Sequence, residues 1–484
     1  MRVKRYGVRW LLLLLFFVGY IATFSTFEDF TLEYFALTMA SFFACGLLLS
    51  RLNRPLQITL PFWTIFVVFM VAYYFKFYLI AVFPEIGEDI HPIFASAFLS
   101  SYGLISAYGI TTTAFCAFCL TSYILIDMSL SKWLRATNER GTPGRIPTGM
   151  NSRFINFVLP MVVLLIIVTT GLMYLTGISV MGAETVYLRF RLAGLIFYTR
   201  TVLIPGLLLL IIWGGLAANR RRWVNIALVL LLLHGLSDMV LRSSKGGLAT
   251  LILPLGFLFL INGRRIRSTH RLYLGVSLLL VTLLYPIVSV YRYLRIGDPE
   301  NIGFALTKSL EVVEGGLSSF WLDLLHGCEG LLLRLAGIEL LVVYTYLGVQ
   351  PLGQEAWSVF TSPLGMAGYV TFDIFRQPVG AITSIAPSMV GWFYLIGGNF
   401  VVALGLIGFT LVWHFLWNML RRIRLRSLPV AQALFLSLVF LVTIDGVIES
   451  LISGKILVYP ATILICEWLT HITVGSRTIM YGKK

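Results

Sequence analysis

The chain has 484 residues, 58% of them hydrophobic and only 12% charged, with a mean hydropathy of +0.88. Soluble domains carry about 25% charged residues, so composition excludes a soluble enzyme and implies one polytopic integral membrane domain. The net charge of +15 is spread in short runs between apolar stretches, as the positive-inside rule produces, which argues against a nucleic-acid partner.

The first residues, MRVKRYGVRWLLLLLFFVGY, have a basic start and an apolar core but no small-residue cleavage site, and read as a retained first span. Apolar stretches long enough to cross a bilayer, roughly 17–25 residues, follow near 10–26, 31–50, 58–83, 94–127, 154–176, 194–217, 224–241, 246–262 and 272–291. Three more lie near 386–417, 428–448 and 455–472, giving about twelve in all. Several exceed the necessary length, 94–127 above all, and are expected to tilt, kink or extend beyond the bilayer. The chain carries five cysteines. Cys116 and Cys119 form a C-x-x-C, but it sits inside the apolar run FCAFCLTSYILI and reads as two small buried hydrophobes. Only Cys328 is expected outside, so no disulfide framework is implied.

Loop charges set the orientation. Lys and Arg crowd the N-terminus and the loops at Arg51–Arg54, Lys132–Arg153, Arg220–Arg222, Arg264–Arg271 and Arg421–Arg426. With twelve spans all of these fall on one side, which places both termini in the cytoplasm. The alternate loops hold Glu28, Asp29, Glu85, Glu88, Asp89 and Glu184.

After Tyr291 the rhythm breaks. A large outer loop, 292–385, is inserted between the ninth and tenth spans and holds Arg292, Arg295, Asp323, His326, Glu329, Arg334, Asp373 and Arg376. Long loops on a rigid scaffold are where function concentrates. Within it, Leu331–Val349 is long enough to cross. A crossing there would turn Arg421–Arg426 outward, so it is expected to lie in or re-enter the outer interface. The stretches QPLGQEAWSV, FTSPLGMAG and FRQPVG carry Gly and Pro turn signals.

Cations on the outer face stand out because that face normally avoids them. They are Arg189 and Arg191; Arg242 and Lys245, in LRSSKGGL; and Arg292 and Arg295. In a helix the last two pairs, at i,i+3, put both charges on one side. Such cations either snorkel to lipid phosphates or form a shared site for phosphate or pyrophosphate, to which the guanidinium fork is suited. Ser243, Ser244 and the Gly246–Gly247 backbone at a helix start would add N–H donors.

In WLDLLHGCEGLLLR, Asp323, His326 and Glu329 recur every third residue. They make either the wet face of an interfacial helix or a carboxylate-supported base for a hydroxyl. Neither H-E-x-x-H nor D-x-D spacing accompanies them, which disfavours a metal enzyme. Inside spans lie Lys76, Asp127, Arg200, His234, Asp238, His414, Asp445, Glu449 and Glu467. His234 and Asp238, one turn below Arg242, are expected to buttress it. Asp445 and Glu449, with Lys455, read as a structural ion group or a wall of the site.

Spans, orientation, late outer loop and outer arginines together resemble the bacterial O-antigen and exopolysaccharide repeat-unit polymerases, the Wzy family, related to the O-antigen ligases. RSSKGGLATLILPLGFLFL (Arg242–Leu260) is similar to the basic turn opening a mid-chain span in that family. TSIAPSMVGWFYLIGGNFVVALGLIGF (Thr383–Phe409) is similar to the segment after its long loop. The His motif of the ligases is matched only partly by HGCEGLLLR.

The resemblance implies an all-α, GT-C-like fold of about twelve transmembrane helices in the bacterial inner membrane. It implies a glycosyltransferase joining undecaprenyl pyrophosphate-linked oligosaccharide repeats at the periplasmic face, without metal or cofactor. The pyrophosphate would be held by Arg189, Arg191, Arg242, Lys245, Arg292 and Arg295, with Arg334 and Arg376 as further binding cations. His326 or Glu329 would activate the acceptor hydroxyl. Trp321, Trp357, Tyr369 and Phe372 would stack on sugars or anchor the loop at the interface. Expected partners are the lipid-linked glycan, membrane lipids and a chain-length regulator protein. The alternatives are a ligase-type transferase and a transporter of lipid-linked oligosaccharide; the transporter would line a central path with ionisable groups and break helices in matched halves.

Overall fold

A computed structural model describes residues 3–52, 56–87, 92–139, 152–176, 192–242, 246–262, 270, 272–280, 282, 291, 307–308, 337–362, 365–377, 385–423, 425–446 and 456–474. Among them every regular element is helical and no strand occurs. Six stretches are long and apolar enough to cross a bilayer: Leu12–Arg51, Ile58–Val82, Ser101–Ser129, Asn156–Thr176, Ala193–Ala217 and Met389–Arg422. The protein is a helical integral membrane protein. It divides into two compact units, one of residues 1–143, 332–419 and 438–453, the other of 144–331, 420–437 and 454–484.

In the first unit, α1 (Val3–Thr23) and α2 (Thr31–Arg51) are joined by a 3-10 turn, Phe24–Phe30, in which Phe27 leaves helical geometry. They fold back on one another: Tyr20 stacks on Tyr34 at 5.2 Å between ring centroids, and the Thr23 and Tyr34 hydroxyls meet at 2.5 Å. One side of α2 carries hydroxyls at helical spacing, which pair with partners on neighbouring helices. Thr38 meets Tyr108 at 3.3 Å, and Ser41 meets Tyr74 at 2.8 Å and Thr112 at 3.1 Å. A hydroxyl facing hydrocarbon has no water to turn to, so such groups are satisfied inside the bundle.

The helix over 56–82 is continuous but changes pitch: α3 (Leu56–Val68) widens into a π segment, Phe69–Phe75, before α4 (Lys76–Val82). The stretch expected as one long span at 94–127 is instead α5 (Pro92–Phe98) and α6 (Ser101–Glu139). The cause is Ser100, whose Oγ accepts from Gly103 N at 3.1 Å and so caps a new helix.

Within the late loop, α12 (Ile338–Tyr346) is the described part of the stretch expected to lie in or re-enter the interface; the second unit's α7 to α11 are taken up below. Gly337 is non-helical, and α12 closes on Gly348 (φ +63°), with Val349 N donating to Tyr344 O at 2.9 Å. Nine residues rise only about 14 Å, too little to cross. Residues Ile338 to Tyr344 are all buried, so this helix re-enters the bundle rather than lying on it. The turn-rich stretches after it fold into short helices, α13 (Ala356–Thr361) and α14 (Gly365–Gly368), the latter running into a π turn at Tyr369–Ile374.

The long helix α15 (Met389–Arg422) is broken at Gly397 and Gly398, the latter at φ +67°. Leu395 O, close to this break, accepts from Leu352 N at 2.7 Å. Its first turn lies against the end of α16 (Leu428–Asp445) at Gly446 (φ +62°), where a Cβ would come within 2.0 Å of the Ser388 carbonyl carbon. Gly446→Ala is expected to destabilise the protein by about 2 kcal/mol or more through this clash and the left-handed backbone. Gly408→Ala, with nothing within 4 Å, is the control. Thermal loss of the monodisperse peak in fluorescence-detected size exclusion would report both.

Candidate functional site: buried charges and a basic helix junction

The second unit is arranged about a buried arginine. Here α7 spans Ser152–Thr176; α8 (Leu192–Tyr198) passes through a π segment, Thr199–Leu203, into α9 (Ile204–Ala217); α10 spans Arg221–Arg242. Arg200 lies in that π segment and is only 1% exposed. Its Nε donates to Asp238 Oδ1 at 2.6 Å, Nη1 to Thr170 Oγ1 at 2.5 Å and Nη2 to Ser237 Oγ at 2.8 Å. His234 Nε2 donates to the Arg200 carbonyl at 2.9 Å. One guanidinium thus ties α7, α9 and α10 together.

The sequence reading set His234 and Asp238 beneath Arg242 as its supports. Among the described residues both engage Arg200, because a charge buried among apolar helices demands a partner. Asp238 fixes the last turn of α10, and Arg242 is the residue on which α10 ends. The next helix, α11 (Gly246–Ile261), starts at the glycine pair where the sequence placed a helix start. Helices α10 and α11 pack together as neighbours, and only Ser243, Ser244 and Lys245 stand between their described ends.

Among the described residues, the first unit also holds a buried pair. Lys76 Nζ meets Glu339 Oε2 at 2.8 Å, with 0% and 6% of the side chains exposed. Gly337 N donates to both carboxylate oxygens, at 3.2 and 3.1 Å. A Cβ on Gly337 would sit 2.0 Å from Ala72 O, so only glycine admits this approach of loop to helix. Lys76 stands among the charges that the sequence places inside spans, but nothing there names Glu339 as its partner. The signal was available, since a lone cation in YYFKFYLI and a lone carboxylate in GIELLV each require a buried partner.

Of the remaining candidates, Arg376 is exposed, at φ +50°, in the first unit, whereas Arg242 belongs to the second. Arg189, Arg191, Lys245, Arg292, Arg295, Asp323, His326, Glu329 and Arg334 lie outside the described residues, as do Glu449, Lys455 and the side chains of Arg242 and Asp445. Asp127 pairs with Arg51 at 2.8 Å, and His414 meets Ser129 at 2.9 Å and Asn418 at 2.7 Å. Glu467, on α17 (Ile456–Val474), accepts from Arg426 N, Ser427 N and Ser427 Oγ. Cys116 and Cys119 are free thiols, half-buried and buried.

In comparisons with known proteins no family model matches the chain, and no curated protein and no solved structure matches it.

Removing one member of a buried pair leaves a naked charge, which costs roughly 3–5 kcal/mol, whereas removing both is often nearly neutral. Arg200→Leu and Asp238→Leu are each expected to lower the melting temperature sharply, and the double variant to recover most of the loss. Thermal denaturation of the four proteins in one detergent checks this.

Proposed function

We propose that the protein is a glycosyltransferase that polymerises lipid pyrophosphate-linked oligosaccharide repeats at the outer face of a bacterial inner membrane. Twelve spans, cytoplasmic termini and a GT-C-like arrangement belong to the same proposal. The observation that carries it is the α10–α11 junction. Helix α10 is described to Arg242 and α11 from Gly246, and the basic sequence Ser243-Ser244-Lys245 stands between them. The free N–H groups of a helix start, beside fixed cations, suit a pyrophosphate.

In the proposed reaction, the acceptor sugar hydroxyl gives its proton to His326 or Glu329. Its oxygen bonds to the anomeric carbon of the growing chain, and the bond from that carbon to the lipid pyrophosphate breaks. The pyrophosphate departs with the electron pair. Charge builds on the leaving group, so preorganised cations are most useful there. Arg242 and Lys245 take that role, with Arg189, Arg191, Arg292 and Arg295 supplying the remainder. The lipid-linked glycan is the substrate; a chain-length regulator is the expected protein partner.

A transporter of lipid-linked oligosaccharide is the second reading, favoured by the break in α15 and by the charges inside the helices. Two observations weigh against it. Leu395 O, close to the break, is taken by Leu352 N, and both buried cations are matched by carboxylates within their own unit. Groups lining a substrate path would face an open cavity instead.

Purified protein given a lipid pyrophosphate-linked repeat is expected to produce a ladder of longer glycans, with or without EDTA. Arg242→Ala should lower the rate by roughly a hundredfold, the scale of losing one transition-state donor. His326→Ala should do likewise if that residue is the base, and Glu329→Gln if it is not. Movement of the lipid across liposome membranes without a ladder would make the protein a transporter. For orientation, green fluorescent protein at the C-terminus should fluoresce, and alkaline phosphatase fused after Gln377 should be active; the opposite pattern sinks the proposed topology.

A further inference from the structure

Helix α12 sits in a seat that admits it closely and ties it at both ends. Its first turn is held by the Lys76–Glu339 pair, and its last by Thr345, whose Oγ1 donates to Gly103 O at 2.8 Å. Glycines stand where it comes nearest its neighbours. Gly337 passes against Ala72 O, a Cβ on Gly391 would lie 3.1 Å from the Tyr344 ring, and a Cβ on Gly103 would lie 3.4 Å from Tyr346 Cβ.

The backbone around this seat is irregular at the same places. Ala72 belongs to the π segment Phe69–Phe75. After α12 the chain turns at Gly348 and Gly353, both left-handed at φ +63° and +57°, and between them Leu352 N donates to Leu395 O beside the break in α15. Ser388 directly precedes α15, and its Oγ accepts from Gly391 N at 3.2 Å; it is fully buried at φ +61°. A residue other than glycine is strained in that conformation, and such strain gathers at switches, as π segments gather at functional sites. Tyr344 adds to this: it is fully buried and its hydroxyl has no hydrogen-bond partner, which disfavours the seated position.

We propose that α12 is a gate, a re-entrant helix that leaves its seat by turning about Gly348 and Gly353 and is latched on return by Lys76 and Glu339. The latch favours the seat, while the strained Ser388 and the unmet Tyr344 hydroxyl favour leaving it. Opposed terms of this kind make a two-state element rather than a fixed anchor. Parting takes Glu339 away from Lys76, so the open state is the minor one. The gate itself stands apart from the chemistry. Its use rests on the glycosyltransferase reading: it admits a substrate whose lipid stays in the bilayer and then shuts out water during transfer.

The test uses the full chain in lipid nanodiscs, with the five native cysteines replaced by alanine. Val342, fully buried on α12, is changed to Cys, and its rate of labelling by a charged maleimide is read. A second protein keeps Cys119 alone, fully buried on α6, and reports general unfolding. Val342→Cys should label roughly tenfold faster than Cys119. Adding Glu339→Gln, which leaves the seated Lys76 without its counter-charge, should speed Val342→Cys about tenfold again and leave Cys119 unchanged. Equal labelling of the two sites, or a rise shared by Cys119, overturns the gate. Gly103→Cys with Tyr346→Cys brings two Cβ atoms close to the separation a disulfide needs, and oxidation should lock the helix in its seat. The locked protein should make no glycan ladder until it is reduced. A ladder unchanged by the lock overturns the gate and leaves the polymerase. No ladder before oxidation sinks the polymerase, and the labelling rates then decide the gate alone.

Discussion

The constraint on which everything else depends is that hydrocarbon offers no partner to a polar group. Each charge and each backbone group inside a span must be answered by the protein itself. Arg200 is the sharpest instance. Its guanidinium donates in three directions, to Asp238, Thr170 and Ser237, and its carbonyl accepts from His234. Hydrophobic attraction between helices is weak in lipid, where small residues and polar contacts do the joining. One satisfied arginine therefore does for the second unit what an apolar core does for a soluble domain. The Lys76–Glu339 pair does the same in the first unit, and in doing so draws a loop helix into the bundle.

The irregular stretches follow from the same rule. A π segment shifts the register of everything after it and leaves backbone groups out of the regular ladder. Lys76 directly follows one such segment, and Arg200 sits within another. Shifting the register turns a cation that would otherwise face lipid toward its carboxylate. At the break in α15, Gly398 adopts a conformation closed to other residues, and a loop amide pairs with a nearby carbonyl. Irregularity here is tolerated because it is answered.

Much of this was legible in the sequence. Wherever residues are described, helices overlie the apolar stretches. What was not legible was pairing across distance. Lys76 and Glu339 are far apart in the chain, and nothing in either local pattern names the other. His234 and Asp238 were read against Arg242 because it lies on their own helix, and their contact with Arg200, one helix back, went unseen. Ser100 was lost inside a long apolar run, although serine is a favoured N-cap residue. Gly446 and Gly337 carry no mark of the backbones they meet.

A division of labour among the cations follows. Arg200 and Lys76 are fully matched within the bundle and have nothing left to offer a ligand. Arg242 differs in position: it ends its helix, where the macrodipole favours a cation, and the start of α11 close by favours an anion. A ligand phosphate between them would complete the neutralisation that the buried pairs achieve internally. Under the proposed function the buried network would have a second purpose beyond stability. A cation meets a developing charge without reorganisation only if its backbone is already fixed, and Asp238, held by Arg200 one turn below Arg242, would help to fix it.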